Sequence, residues 1–255
     1  MNDAAEGFGR IDDVQIRAEL DAQFQSIRMD IEHLDYKLFR ATKNRRIGSG
    51  PFKGTIFASD SHWHDGNLCL KLTGYYEHEL HDAIEKAILR KPHSIINVGC
   101  CEGYYAIGLA KRLPKAKAVA IDISTDALRH CRQMAELNNV SDRLETWHGD
   151  ETNCVLKLTQ PCLFVIDNEG GEEMLVDDIK PLLAKSDLII ECHHFKDTGV
   201  AARIYDKLSP SHTIDVITPQ PVTLINSSAE ATLLEAIILT EKRLMSCRWL
   251  ACWAP

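Results

Sequence analysis

Apolar positions change period along this chain. Leu20, Phe24, Ile27, Ile31, Leu34 and Leu38 follow one another at steps of four, three, four, three and four. That is a heptad seam, and it predicts one helix over residues 13–44. The seam lasts about three heptads, the lower edge of a coiled coil. A dimerisation arm and a helix lying on its own domain both fit it. Residues 47–54, IGSGPFKG, read as a loop or linker. TIFA and NLCLKL read as short strands of a hairpin around SDSHWHDG, a candidate lid. His62, His64 and Asp65 in that turn invite a metal, but no fourth ligand lies near in sequence, so an exposed turn is expected.

From residue 75 the pattern alternates. Helices are predicted over Tyr76–Leu89, Tyr104–Leu113, TDALRHCRQMAELNN, EEMLVDDIKPLLAKS (kinked at Pro181) and VAARIYDKL. Between them lie the strands Ser94–Val98, AVAIDI, RLETWHGD, CLFVIDN, DLIIECHH, HTIDVITP and EAIILTEKR. Continuous apolar strands separated by amphipathic helices predict an α/β fold, a mainly parallel sheet covered on both faces. The expected organisation is an N-terminal helix over 1–46, a linker and hairpin over 47–73 and the α/β domain over 74–255.

Composition narrows the class. The apolar fraction is 45% and the charged fraction 26%, ordinary for a globular domain. A net charge of -8 argues against nucleic acid as the main partner. Lys43, Arg45 and Arg46 form a local basic patch, with Lys37 and Arg40 upstream, read as a solvated helix end. The nine cysteines are scattered, mostly in apolar runs and without a CxxC pair. They predict buried reduced thiols in a cytoplasmic protein rather than disulfides or a zinc knuckle. The first twenty residues lack the apolar core of a signal peptide, and no apolar run reaches the roughly 20 residues of a membrane span.

The stretch INVGCCEGYY ends the first strand of the domain and opens a helix. Counted from Gly99, the dinucleotide fingerprint would need glycine where Cys101 and Tyr104 stand. Gly99 permits a tight turn and Gly103 a close helix approach, while Cys101 blocks the backbone from a pyrophosphate. S-adenosylmethionine, a ligand without phosphate, tolerates that side chain. Asp122 ends the next strand, 19 residues after Gly103, where a carboxylate can accept both ribose hydroxyls. Asp150 ends the third strand, placed to accept the adenine amino group, and Gly149 leaves room for the ring. As purely structural residues, Asp122 would be a helix cap, a role Ser124 and Thr125 fill better, and Asp150 a turn aspartate.

In this order INVGCCEGYYAIGLA, AVAIDIS, WHGD and FVIDNEGGE resemble class I methyltransferases that use S-adenosylmethionine. IDxEGxE followed by IIExHH is similar to the FkbM-like branch, and TGYYEHEL to the segment before its first strand. The resemblance covers roughly residues 74–195. It implies a Rossmann-like sheet of seven strands with the last antiparallel, and S-adenosylhomocysteine as product. It adds Glu77, Cys100, Tyr104, Ile123 and Asp167 to the cofactor residues. The family's acidic residue at the end of the first strand is Asn97 here, an amide that can still hydrogen-bond the cofactor's ammonium.

Methyl transfer needs positioning and removal of a proton. Asp167 ends the fourth strand, and Glu191 and His193, two apart at the end of the fifth, share a face. His193 is the candidate general base, with Asp167, Glu169 and Glu191 shaping the site. Glu172 and Glu173 suit the following helix N-terminus. Asp167, Asn168, Glu191 and His193 offer ligands to a divalent metal, but a metal-free site is the expectation. The reading is O-methylation of a small molecule or sugar. Its rivals are an N-methyltransferase or peptide-modifying enzyme, a cofactor-binding protein without turnover, and a nicotinamide dehydrogenase.

Overall fold

The structure, a computed structural model, describes residues 14–61, 67–149, 161–193, 198–220 and 248–255. Among the described residues seven strands form one sheet: β1 Ser94–Val98, β2 Lys117–Asp122, β3 Leu144–His148, β4 Leu163–Ile166, β5 Asp187–Cys192, β6 Thr213–Ile217 and β7 Arg248–Trp253. Their order is β3-β2-β1-β4-β5-β7-β6. β1 to β5 are parallel, and β7 pairs antiparallel with both β5 and β6. The seven-stranded, mostly parallel sheet is thus the one expected. The described helices are α1 Val14–Ala41, α2 Leu68–Thr73, α3 His81–Leu89, α4 Tyr104–Arg112, α5 Thr125–Leu137, α6 Glu172–Asp178, α7 Lys180–Leu183 and α8 Val200–Leu208.

Two apolar cores sandwich the sheet. On β1, Ile95 joins the core under α4 and α5, while Ile96 and Val98 join the one under α6 and α8. This is the alternation of a strand buried on both faces. β1 lies between β2 and β4, so the chain reverses its direction of travel across the sheet there. The crevice beyond the carboxyl ends of β1 and β4 is the switch point where such sheets hold ligands.

NLCLKL is not a strand; it forms α2. The buried carboxylate of Asp35 on α1 accepts the backbone N–H groups of Leu68 (3.0 Å) and Cys69 (3.1 Å), satisfying donors that a helix start leaves orphaned. Gly74 closes the other end in the left-handed conformation. A side chain 33 residues away thus overrides the local alternation. TIFA forms no hairpin with it; Ile56 makes an isolated antiparallel bridge to Arg46. Ile47, Phe52 and Phe57 are buried in the same core as α4.

The helix expected over EEMLVDDIKPLLAKS is broken at Ile179, with Pro181 in the first turn of α7, where its missing N–H does no harm. The helix expected from Tyr76 opens instead as a 3-10 turn at His78 before α3. The last described strand is Arg248–Trp253. EAIILTEKR, His62, His64, Asp65 and Asp150 lie outside the described residues. The described cysteines are free, with Cys69 and Cys101 half-buried and the others buried.

Gly108 sits inside α4, where glycine is a poor helix former. A Cβ there would lie 2.4 Å from Cγ of Phe52. The glycine admits the ring, which packs edge-on against Tyr104 (5.2 Å) and Tyr105 (5.9 Å). Gly108→Ala is therefore expected to destabilise by about 1–3 kcal/mol through overpacking, despite alanine's better helix propensity. Urea unfolding checks this, and a variant as stable as wild type would show that Phe52 can move aside.

Candidate active site

The glycine turn runs from Gly99 to Gly103 between β1 and α4. Gly99 has φ +71°, and a Cβ there would lie 1.7 Å from the carbonyl oxygen of Asp167. The turn and the exit of β4 touch backbone to backbone, which only glycine allows. Gly103 has φ +97°, and a Cβ there would press to 2.8 Å from Sγ of Cys131 on α5. Cys101 occupies the left-handed region at φ 48°. The buried Cys100 thiol is held well above its ordinary value by a hydrogen bond to Cys131 and by burial. The Cys101 thiol is pushed up by burial and the Glu102 charge.

Asn97 is buried at 1% exposure and has a structural job. Its Oδ1 accepts the N–H of Ala106 in the first turn of α4 (3.2 Å), and its Nδ2 donates to the Val165 carbonyl (3.4 Å). Gly103 at the helix N-cap has no side chain to do this, so the cap comes from the neighbouring strand. Asp122 ties the turn to the exit of β2: Oδ2 accepts the Cys101 N–H (3.0 Å) and Oδ1 the Ser124 N–H (2.8 Å). Each oxygen keeps a second lone pair. Ser124 caps α5 by accepting the N–H of Ala127. Ile123 is 70% exposed beside Asp122, and among the described residues a Cβ on Gly149 would meet nothing within 4 Å. Tyr104 is buried in the aromatic cluster with Phe52 and Tyr76, and the buried Glu77 accepts the Tyr105 hydroxyl.

Lys71 on α2 and Glu102 in the turn form an ion pair at 2.8 Å, with side chains 4% and 1% exposed. The Lys71 ammonium also lies 4.8 Å from the Tyr76 ring centroid. This pair clamps α2 onto the glycine turn. Sequence reasoning gave no weight to either residue, because their partnership spans 31 positions.

The acidic end of the site gathers around His193, which is 7% exposed. Its Nδ1 lies 2.5 Å from Oε1 of Glu172, a fully buried carboxylate that also accepts the Gly170 N–H. Its Nε2 faces Glu169 (3.5 Å), Asp167 (3.6 Å) and Glu191 (3.9 Å). The four predicted residues do converge. Glu172, assigned to the helix N-terminus on sequence, is the closest partner of the imidazole. Glu173 points away to Arg203 and Lys207, which hold its pKa down to about 2.

Burial opposes a charge on His193, but the Glu172 hydrogen bond and the Asp167 charge outweigh it, so its pKa is raised above 6.5. Burial pushes Asp167 up to about 6 against the pull of His193. Asp167, Glu169 and His193 each bring one ligand atom within 4.8 Å of the others, a spacing that suits a cation as well as a shared proton.

Residues 95–186 match a family model described as a methyltransferase domain. The fold is that of a class I methyltransferase. The sheet superposes on a precorrin-6y C5,15-methyltransferase from Geobacter metallireducens (TM-score 0.51, 10% identity, 69% of this chain and 89% of that one). It also superposes on an O-methyltransferase of tomaymycin synthesis from Streptomyces achromogenes, solved with S-adenosylmethionine (TM-score 0.51, 16% identity, 75% and 87%). A release factor glutamine methyltransferase from Chlorobaculum tepidum is 44% identical over 57 residues, 22% of this chain and 19% of that protein. A ribosomal protein L11 methyltransferase from Escherichia coli is 46% identical over 54 residues, 21% and 18%. The chain thus spans about a fifth of the length of these curated relatives. Among the described residues of this methyltransferase fold, no helix is long and apolar enough to cross a membrane.

Proposed function

We propose that the chain is an S-adenosylmethionine-dependent methyltransferase of the FkbM-like branch, cytoplasmic, acting on an oxygen of a small molecule or sugar. The observation that carries this is the Glu172–His193 pair at the exit of β5, facing Asp167, whose backbone touches the glycine turn. A carboxylate-oriented imidazole beside the switch point can take a proton from an acceptor hydroxyl. The O-methyltransferase of similar fold supports the oxygen acceptor. Two relatives are named for protein acceptors, so a peptide-modifying enzyme is the second reading.

The residues fit the cofactor. Asp122 keeps a lone pair on each oxygen for the ribose hydroxyls, Ile123 offers an apolar surface, and among the described residues Gly149 leaves open space for the adenine. S-adenosylmethionine supplies an electrophilic methyl group on a sulfonium. Glu172 holds Nδ1 of His193, so Nε2 is aimed at the space shared with Asp167, Glu169 and Glu191. That nitrogen would be the one to receive the proton of an acceptor hydroxyl. Asn97 acts through the cap it gives to α4. The same cluster suits a divalent metal, the less favoured variant of this mechanism.

Calorimetric titration with S-adenosylmethionine and S-adenosylhomocysteine is expected to give binding in the wild type. Asp122→Ala is expected to lower affinity about 10–100-fold, the loss of two charge-assisted hydrogen bonds. Because Asp122 also holds the turn, circular dichroism of the variant must show an intact fold. Equal affinity would remove Asp122 from the cofactor site.

We propose further that α1 forms a homodimer. Leu20 and Phe24 of its heptad seam are exposed at 44% and 67%, and Ile27 at 58%. The seam spacing is that of two helices packing on each other. Phe24→Glu is expected to convert the dimer to monomer in light-scattering chromatography. A monomeric wild type would end this proposal.

A further inference from the structure

A cavity of about 610 Å³ opens at the far side of α5, between its last turns and the segment after α1. Gln133 and Leu137 line it, respectively about 12 and 18 Å along the helix axis from Thr125, which follows the Asp122 turn. None of its lining residues belongs to the glycine turn or to the acidic cluster. Its volume is that of a small-molecule site.

Its charge is opposite to that of the chain as a whole. Lys43, Arg45 and Arg46 converge on it in a protein of net charge -8. Among the described residues none of the three is matched by a carboxylate. Arg46 donates to the Gly54 carbonyl and Arg45 to that of Arg40, neutral acceptors that leave both charges uncancelled. Nε of Arg45 is a buried donor without a partner. Lys111 lies behind Arg46, its pKa lowered by burial and by the Arg46 charge, so the positive potential extends inward. Of the two acids on the rim, Asp60 is paired with Arg129 at 3.1 Å, which leaves Glu136. Three cations facing one uncompensated carboxylate match a doubly charged anion.

We propose that this cavity is a binding site for a phosphorylated small molecule, with the phosphate held by Lys43, Arg45 and Arg46. Arginine forks suit phosphate oxygens in bidentate fashion, and Leu137, 46% exposed, gives the remainder of the ligand an apolar surface. The site is independent of the methyl-transfer reading, so either can fail without the other.

The probe is inorganic pyrophosphate, titrated calorimetrically into the full chain at low salt. Saturable binding is expected, weakening as salt rises. Arg45→Gln/Arg46→Gln is expected to weaken it at least about tenfold, the loss of two charge-assisted contacts. Glu136→Gln, an exposed change, is expected to tighten it severalfold. No saturable binding by the wild type overturns the proposal. So does binding that the arginine pair and Glu136→Gln both leave unchanged, which would place pyrophosphate elsewhere. Retention on phosphatidylglycerol vesicles without pyrophosphate binding also overturns it, in favour of a membrane surface.

Discussion

His193→Ala is expected to lower kcat by about 10²–10⁴-fold, the usual contribution of a positioned base, with cofactor affinity held within about twofold. The base form must be neutral, and the His193 pKa is raised above 6.5. The rate should therefore climb with pH through a value above 6.5. Glu172→Gln removes the closest negative charge and should move that acidic limb to lower pH. Stability shows the opposite slope. Folded His193 and Asp167 both bind protons more tightly than their ordinary values of 6.5 and 3.8 imply. The stability from Asp167 is lost as pH rises from 3.8 through about 6. That from His193 is full below 6.5 and lost as pH rises through its higher folded value. Urea midpoints of wild type and His193→Ala across this range give the check. A variant with wild-type kcat would remove His193 from the chemistry.

The largest loss of stability is expected from Lys71→Met. It leaves the carboxylate of Glu102, 1% exposed, without its cation. Breaking a buried pair in this way costs about 3–5 kcal/mol. Lys71→Met/Glu102→Met removes both charges and is expected to regain most of that loss, because the desolvation penalty goes with them. A double-mutant cycle by thermal or urea unfolding measures the coupling. A single variant within about 1 kcal/mol of wild type would mean that water reaches Glu102. The clamp joins α2 to the glycine turn, so the same variants should also weaken cofactor binding.

The strands around the switch point were legible because their side chains alternate between two apolar cores, as at Ile95 and Ile96. The turn was legible through Gly99 and Gly103, since the glycines are needed where backbone meets Asp167 and where α5 crowds in. The convergence of Asp167, Glu169, Glu191 and His193 followed from strand ends and period two. What escaped was set by distant partners. α2 has the local look of a strand and becomes a helix because Asp35 caps it. Asn97 stands in for an acidic residue and serves α4. Glu172 has the sequence of a helix-start residue, and its hydrogen bond to His193 depends on how β5 ends 20 residues later. No local pattern encodes the Lys71–Glu102 pair. Its signal would be two charged residues inside otherwise apolar surroundings.

β7 follows β6 in the chain but lies between β6 and β5 in space. Trp249 to Trp253 are buried there. During synthesis both neighbours emerge first and keep the edges that face β7 unpaired until Arg248–Trp253 has cleared the ribosome. An open edge of apolar strand is a template for wrong pairing. The nascent chain thus has a vulnerable interval that ends when β7 inserts between β5 and β6. A ribosome stalled before that point would hold an aggregation-prone product, and a chaperone acting on this protein would have its main work there.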